Sequence, residues 1–329
     1  MLLPLQRTEA PIAKRPTAIT RQCFTPDMIL GSMPQIHLRN PYLSDGYSWL
    51  KGNLHTHTTF SDGVRPPEEV IADYERRGYD FLGISDHDMF VPPEHYQHLT
   101  RMVLIPAVEV TALGSHIQHL GVHQRVEPDT NRQIVIDGIN ADGGMAVMNH
   151  PNWEWHFNHF PHELMEDLQG AVGLEVYNGV IEHLDGAALA SDRWDRLLSI
   201  GRRLWGFAND DSHEARDVGV AWNVVQARTR SVPDILQALK EGRFYASTGV
   251  IVNAVAIDGL RIRVSTENAE RIRFVTRFGT IRATIDDATA EWQLPENPTQ
   301  LKHWRYVRVE CYGAGGRMAW TQPIQIESD

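Results

Sequence analysis

Asn53-Leu54-His55-Thr56-His57-Thr58-Thr59-Phe60-Ser61-Asp62-Gly63 is the stretch from which the fold can be read. Two histidines stand two residues apart in an apolar–polar alternation, and an Asp-Gly turn comes after them. In a strand, side chains at i and i+2 point to one face, so His55 and His57 can aim two imidazoles at one point while Asp62 returns from the turn. A lone His-x-His also occurs harmlessly on surfaces. Its weight depends on whether later segments of the chain supply further donors.

They do so in a regular series. From about 49 to 248, short apolar runs alternate with helical periods, the pattern of an α/β body. Pro66-Pro67-Glu68-Glu69 opens a helix, with proline in the first turn and acids complementing the dipole. Val70, Ile71 and Tyr74 supply its buried stripe, and Gly78 is placed to end it. Further helices are expected at about 131–142, 187–201 and 232–241. The apolar runs Phe81–Ser85, Val103–Val108, Met145–Met148, Ala171–Leu174 and Leu204–Phe207 read as buried strands. Behind them stand Asp86-His87-Asp88, Glu109, His150-Pro151, Glu175 and Asp210-Asp211-Ser212-His213. Acids and histidines thus recur at the carboxyl ends of successive strands, the edge where ligands gather in parallel α/β sheets and barrels. A cap or a satisfied core group explains any one of them, but not easily five in series.

Pooled, the candidates are His55, His57, Asp62, His87, Glu109, His116 or His119, His150, Asp211 and His213. All are nitrogen or oxygen donors, a set that suits Mn, Fe or Zn. They are too many for one ion at four to six ligands, whereas shared carboxylates would let them hold two or three. Acids packed this closely would repel without cations between them.

These ordered segments, over about residues 50–215, resemble the motifs of the PHP (polymerase and histidinol phosphatase) metallohydrolase family. The resemblance implies a distorted seven-stranded β/α barrel with a two- or three-metal site at the carboxyl ends of the strands. Carried over residue by residue, His55, His57 and Asp211 resemble the ligands of a first metal. Glu109 resembles a bridging carboxylate, with His150 and the next histidine on a second metal. Asp62, His87 and His213 resemble a third set. In Ser115-His116-Ile117-Gln118-His119-Leu120-Gly121 the spacing favours His116, as in relatives reading Gly-His-x-x-x-x-Gly. One strand would send His116 and His119 to opposite faces.

The reaction so implied is hydrolysis of a phosphomonoester or phosphodiester of a small metabolite by a metal-bridging hydroxide. No serine or cysteine nucleophile motif competes with it. Asp86 and Asp88 flank His87, and orienting it is the expected role of Asp86 in preference to direct catalysis. His183 stands in a stretch resembling one near the family's site and is a candidate general acid. The plain alternative is an exposed histidine at a helix start. Arg216 could pair with a phosphate, although a surface salt bridge explains it as well. Asn152-Trp153-Glu154-Trp155-His156-Phe157 is unusually aromatic and is read as a wall or lid over the site. Two other functions fit the same residues: hydrolysis of a carboxylic ester or carbamate, and a non-catalytic, metal-stabilised binding role.

Composition bounds the rest. The 329 residues carry a net charge of −11, which argues against a broad nucleic-acid surface, and the small anionic substrate expected here must be attracted by something local, such as bound cations. Two distant cysteines, Cys23 and Cys311, form no metal or redox spacing. No apolar stretch approaches the ~18 residues of a membrane span, and Met1–Leu5 is too short for the apolar core of a signal peptide, so the expected compartment is the cytoplasm. Residues 1–48 are proline-rich and read as an irregular leader packed on the barrel, which occupies 49–248. After about 250 the helical signal disappears, and 249–329 read as a small antiparallel β-sandwich without clustered chemistry. A homo-oligomer built through that sandwich is compatible with the sequence.

Overall fold

A computed structural model of the protein describes residues 36–328. The greater part of the expected leader, residues 1–35, lies outside the described residues. What remains of it is not irregular: β1 (Ile36–Arg39) pairs antiparallel with β18 (Ile324–Ser328) at the far end of the chain. Its alternation of half-buried Ile36 and Leu38 with exposed His37 and Arg39 is the pattern of an edge strand over a core.

The body is a mixed α/β barrel of seven strands. They are β2 (Ser48–Asn53), β3 (Phe81–Ile84), β4 (Val103–Val110), β5 (Ile117–Leu120), β6 (Met145–Met148), β7 (Gly173–Asn178) and β8 (Trp205–Asn209). Pairing is parallel along β2-β3-β4 and along β6-β7-β8. β5 runs antiparallel to both of its neighbours. An eighth strand, β9 (Trp222–Ala227), lies antiparallel on β2 and leads into β10 (Phe244–Ser247).

The seam between β2 and β8 is closed past the strand ends. Asp211 donates its amide to the His55 carbonyl at 3.0 Å, and His57 donates to the Ser212 carbonyl at 2.9 Å. Below this clasp, Asn223 bridges to Ala208 and Asn209 through its side chain. The β3-β4 ladder also runs on past its strands, with His87 opposite Glu109. Backbone pairing therefore continues into the residues that carry the acids and histidines.

Helices α1 (Pro67–Arg76), α2 (Arg132–Ala141), α3 (His162–Asp167), α4 (Ser191–Ser199) and α5 (Val232–Lys240) cover the barrel. α1 starts at its prolines, buries Val70, Ile71 and Tyr74, and gives way to Gly78 at φ +76°, a left-handed position that suits glycine. Each of its buried apolar side chains contributes about 1.5–3 kcal/mol. Tyr74 does more than fill space: its hydroxyl reaches Thr56, Ser212 and Asp210 beneath the mouth of the barrel.

The C-terminal region holds β11 (Val252–Asp258), β12 (Arg261–Thr266), β13 (Ala269–Thr276), β14 (Thr280–Ile285), β15 (Thr289–Gln293), β16 (Tyr306–Gly313) and β17 (Met318–Thr321), with β18 last. A separate antiparallel sheet, β11-β12-β15, packs on the sheet carrying β13 and β16 over Val255, Ile262, Val264, Ile272, Phe274 and Val309. The region is not purely strand, as its alternating pattern had suggested. Pro298–Trp304 forms a helix, α6, started by Asn297, whose side chain accepts from the Gln300 amide. Nor is it merely appended: β10 pairs with β17, so barrel and C-terminal strands share one continuous sheet. Tyr306 and Trp320 belong to the same buried cluster as Leu174, Val176 and Trp194.

Candidate metal centre

At the carboxyl end of the barrel, Glu109 is fully buried in a ring of imidazoles. Its Oε1 lies 3.2 Å from His55 Nε2, 3.2 Å from His116 Nδ1 and 3.1 Å from His150 Nε2. Its Oε2 lies 2.9 Å from His87 Nδ1 and 3.6 Å from His57 Nε2. Asp211 faces it from the last barrel strand, with Oδ1 2.9 Å from His57 Nε2 and 3.1 Å from His55 Nε2. Nearer the solvent, Asp62 lies 3.3 Å from His87 Nε2 and 3.4 Å from His213 Nε2. The strands and the turns beyond them thus deliver the expected donors, with His116 as the histidine after Glu109, to one place.

Local backbone explains how. Gly63 lies against His57: a Cβ there would stand 2.6 Å from the His57 carbonyl, so only glycine lets the loop turn back and bring Asp62 over the site. His150 and Asp211 adopt φ of +27° and +54°, which side chains other than glycine rarely occupy. Such strain persists where the surroundings over-determine the conformation. Here Glu175 accepts the His150 amide at 2.8 Å, and the Asp211 amide is held in the clasp.

His119, carried forward as an alternative to His116, does not join the set. It stands within β5 on the other face, buried with Nε2 3.3 Å from Asp142 and packed on Gly144. His116 precedes the strand and faces Glu109. The odd separation sends the two rings apart. Asp86 differs from its expected role too. Its carboxylate accepts from the Thr58 amide at 2.7 Å, the Thr58 hydroxyl at 2.6 Å and the Ser61 hydroxyl at 2.6 Å, so it holds the loop after His57 and does not orient His87. His183 and Arg216 both line the cavity above the centre, and Arg216 is ion-paired with Glu214 at 2.7 Å.

Several residues outside the expected ligand set hold the donors in place. Glu175 accepts from His55 Nδ1 at 2.8 Å while taking the His150 amide, and Asn178 and Asn209 donate to it at 2.8 Å each. Asn149 donates to Glu109 at 2.8 Å. His159 accepts the His116 amide on Nε2 at 2.8 Å, so that nitrogen is not free for an ion. Glu175 was visible as a strand-end acid, but only its three-dimensional neighbours distinguish a ligand from a group that orients one. Nothing in the local sequence marks Asn149 or His159.

Burial depresses His57 and would depress His55, but Asp211, Glu109 and Glu175 outweigh it at His55 and hold that ring well above the usual histidine range. Burial works against charge at His87 and His213 as well, yet Asp62 with Glu109 lifts the first to about 10, and Asp62 with Asp211 lifts the second to about 9. Burial would raise Glu109, Asp62 and Asp211, but the surrounding imidazoles hold all three well below the carboxylate range. Without cations, charge is thus favoured on His55, His87 and His213 beside the ionised Glu109, Asp62 and Asp211, while His57 is favoured neutral.

The donors suit a divalent ion. His55 Nε2, His57 Nε2, His87 Nδ1, Glu109 Oε2 and Asp211 Oδ1 are buried and make no hydrogen bond. Orphaned buried polar atoms are costly, and here they converge. Five overlapping groupings bring ligand atoms within coordinating reach of each other: His55, His57 and Asp211; His55, Glu109 and His150; His57, Asp62, His87 and His213; His87, Glu109 and His116; and His116, His150 and His159. The centre floors a cavity of about 350 Å³ that also meets Trp153, Val180, Ile181, Leu184 and Glu214.

Comparison with known proteins finds likenesses in sequence and in fold. A family model described as PHP-associated matches residues 201–244. A two-domain protein of Bacteroides vulgatus ATCC 8482, titled as containing a predicted PHP-like metal-dependent phosphoesterase, superposes with a TM-score of 0.52 at 16% identity, over 91% of this chain and 99% of that one. The DNA polymerase/3'-5' exonuclease PolX of Bacillus subtilis (strain 168) is 26% identical over 163 residues, 47% of this chain. The match spans only 28% of that polymerase. The lesion-specific endonuclease PfuEndoQ of Pyrococcus furiosus superposes with a TM-score of 0.42 at 13% identity, over 59% of this chain and 56% of that one.

Proposed function

We propose, from the premise that the chain is a PHP-family protein, that it is a divalent-metal-dependent phosphoesterase hydrolysing a small phosphorylated molecule. The observation that carries the reading is the convergence of hydrogen-bond-orphaned histidine nitrogens and carboxylate oxygens on the floor of a cavity. Bound to those donors, divalent ions would supply a water acidic enough to ionise near neutral pH and positive charge for phosphoryl oxygens. The nitrogen and oxygen donor set favours Mn, Fe or Zn, and a set of overlapping groupings, two of which share Glu109, favours two or three ions.

The chain's own groups do the positioning. Glu109 is central to the deep donors, and Asn149 fixes one of its oxygens. Glu175 orients His55 and His150, and Asp86 holds the loop that carries Asp62. His183, exposed on the cavity wall, is the group we assign to protonate the leaving group, and Arg216 at the rim meets the substrate's charge. A second reading, hydrolysis of a carboxylic ester or carbamate, draws support from the apolar part of the same wall.

The test is turnover by Mn-loaded protein of 4-nitrophenyl phosphate, its bis-ester, 4-nitrophenyl acetate and a short oligonucleotide. Phosphoester turnover that disappears in His57→Ala and Asp211→Ala, together with their bound metal, is the expected result. Acetate turnover alone would replace the first reading with the second. Cleavage confined to the oligonucleotide would make nucleic acid the substrate, and inactivity with every metal and substrate would leave a binding role.

A further inference from the structure

We infer that the group carried by the phosphate is apolar, a short alkyl chain or a single aromatic ring, and not a sugar or polyol. The inference rests on the phosphoesterase reading of the same cavity. That cavity has two chemically distinct sides. One is the donor cluster. The other is Trp153, Val180, Ile181 and Leu184, contributed by the loops after β6 and β7. The apolar side begins at the metal centre itself. The Trp153 ring lies edge-on to His150 with centroids 5.1 Å apart and sits 5.4 Å from His116. A leaving group attached to a phosphoryl held at the cluster therefore meets this wall within its first few atoms.

Apart from His183, which is engaged with the leaving-group oxygen in the reading above, this wall offers little to a hydroxyl. The Val180 amide is spent on the Asp210 carbonyl at 2.9 Å, the Leu184 amide on the Ile181 carbonyl at 3.2 Å and the Trp153 amide on the His150 carbonyl at 3.0 Å. At the rim, the one guanidinium among the cavity's lining residues, Arg216, is shared with Glu214 and, in the reading above, meets the substrate's charge rather than the apolar side. Polyol hydroxyls pressed on such a wall would lose water without gaining partners. Conversely, Leu184 is 49% exposed, and Trp155 and Phe157, from the same loop as Trp153, are 71% and 52% exposed. Of these, Leu184 lines the cavity, so it leaves apolar surface in water there that a ligand chain would cover.

The experiment is calorimetric titration of the Mn-loaded protein with methylphosphonate, 2,3-dihydroxypropylphosphonate, hexylphosphonate and benzylphosphonate. The hexyl and benzyl compounds should bind about tenfold more tightly, or better, than the other two, as expected for burying several methylene groups. Leu184→Asn should shrink that ratio severalfold. Equal or better binding of the dihydroxypropyl compound, binding of none of the four, or an unchanged ratio in Leu184→Asn overturns the inference. Parallel kinetics with hexyl phosphate and glycerol phosphate separate the two claims. Phosphonate preference without turnover of any phosphoester removes the catalytic reading and leaves the apolar occupant, whereas turnover without preference does the reverse.

Discussion

Glu175 shows how much of the site depends on a residue that binds nothing itself. It is fully buried and ties His55, just past β2, to His150, just past β6. Partners of this kind orient ligands and are worth 10–100-fold in metal affinity. Glu175→Gln should lower Mn affinity by about that factor while circular dichroism stays unchanged, and an affinity equal to the wild type would refute its role. His119 makes the opposite case, a histidine near the site with a purely structural environment. Burial pushes it down to about 4 against the pull of Asp142, with His123 pushing the same way as burial. An unfolded chain, with histidine near 6.5, then takes up a proton that the folded one refuses. Stability should therefore fall as pH drops from about 6.5 to 4, by up to about 3 kcal/mol from this group. In His119→Gln that part of the slope should vanish from melting temperatures measured across the window.

At the scale of elements, the strands and their terminal acids were legible because buried parallel strands are continuous apolar runs, and polar residues at their ends stand out. Phe81–Ser85, Val103–Val108 and Met145–Met148 all became strands close to those bounds. β5 was not legible, since four residues including Gln118 and His119 carry no strand pattern until they are sandwiched between β4 and β6. Nor was the tie between α4 and β16, which is a matter of side chains far apart in sequence. Arg308, almost fully buried, meets Asp195 of α4 through two nitrogens at 2.7 and 2.6 Å and Glu310 at 2.7 Å, while Tyr306 also donates to Asp195 at 2.7 Å. Breaking a buried pair by removing one partner costs about 3–5 kcal/mol because the survivor stays buried and uncompensated. Asp195→Ala should lower the melting temperature by many degrees without altering metal content at low temperature. A shift of only a degree or two would mean that Glu310 alone suffices for Arg308.

At the scale of the molecule, the expected division at 248/249 falls in the turn between β10 and β11, but the two parts do not have separate cores. Trp320 stacks on Tyr177 with centroids 5.6 Å apart, and Gln322 bonds both the amide and the carbonyl of Gly206 in β8. Hydropathy patterning distinguishes strand-rich from helix-rich stretches, but it cannot reveal that a distant strand supplies part of another unit's interior. A chain ending at residue 250 should accordingly fail to fold, seen as insoluble expression or a non-cooperative melt. A cooperative melt would show the barrel to be autonomous. Among the described residues no helix is long and apolar enough to cross a membrane.

The clasp between β2 and β8 has a mechanical consequence. The amide of Asp211 and the carbonyl of His55 that close the seam belong to two of the proposed ligands of one ion. An ion there would act as a rivet across the joint that turns a curled sheet into a hoop. Its removal would be a loss of tension as well as of chemistry, because the strained turn at Asp211 would then be held by the protein's own hydrogen bonds without the ion. Hydrogen exchange should register this first at residues 55–57 and 211–212, whose amides should exchange at least tenfold faster after chelation than those of β3 or β6. The state of the centre would then be written into the stiffness of the whole barrel.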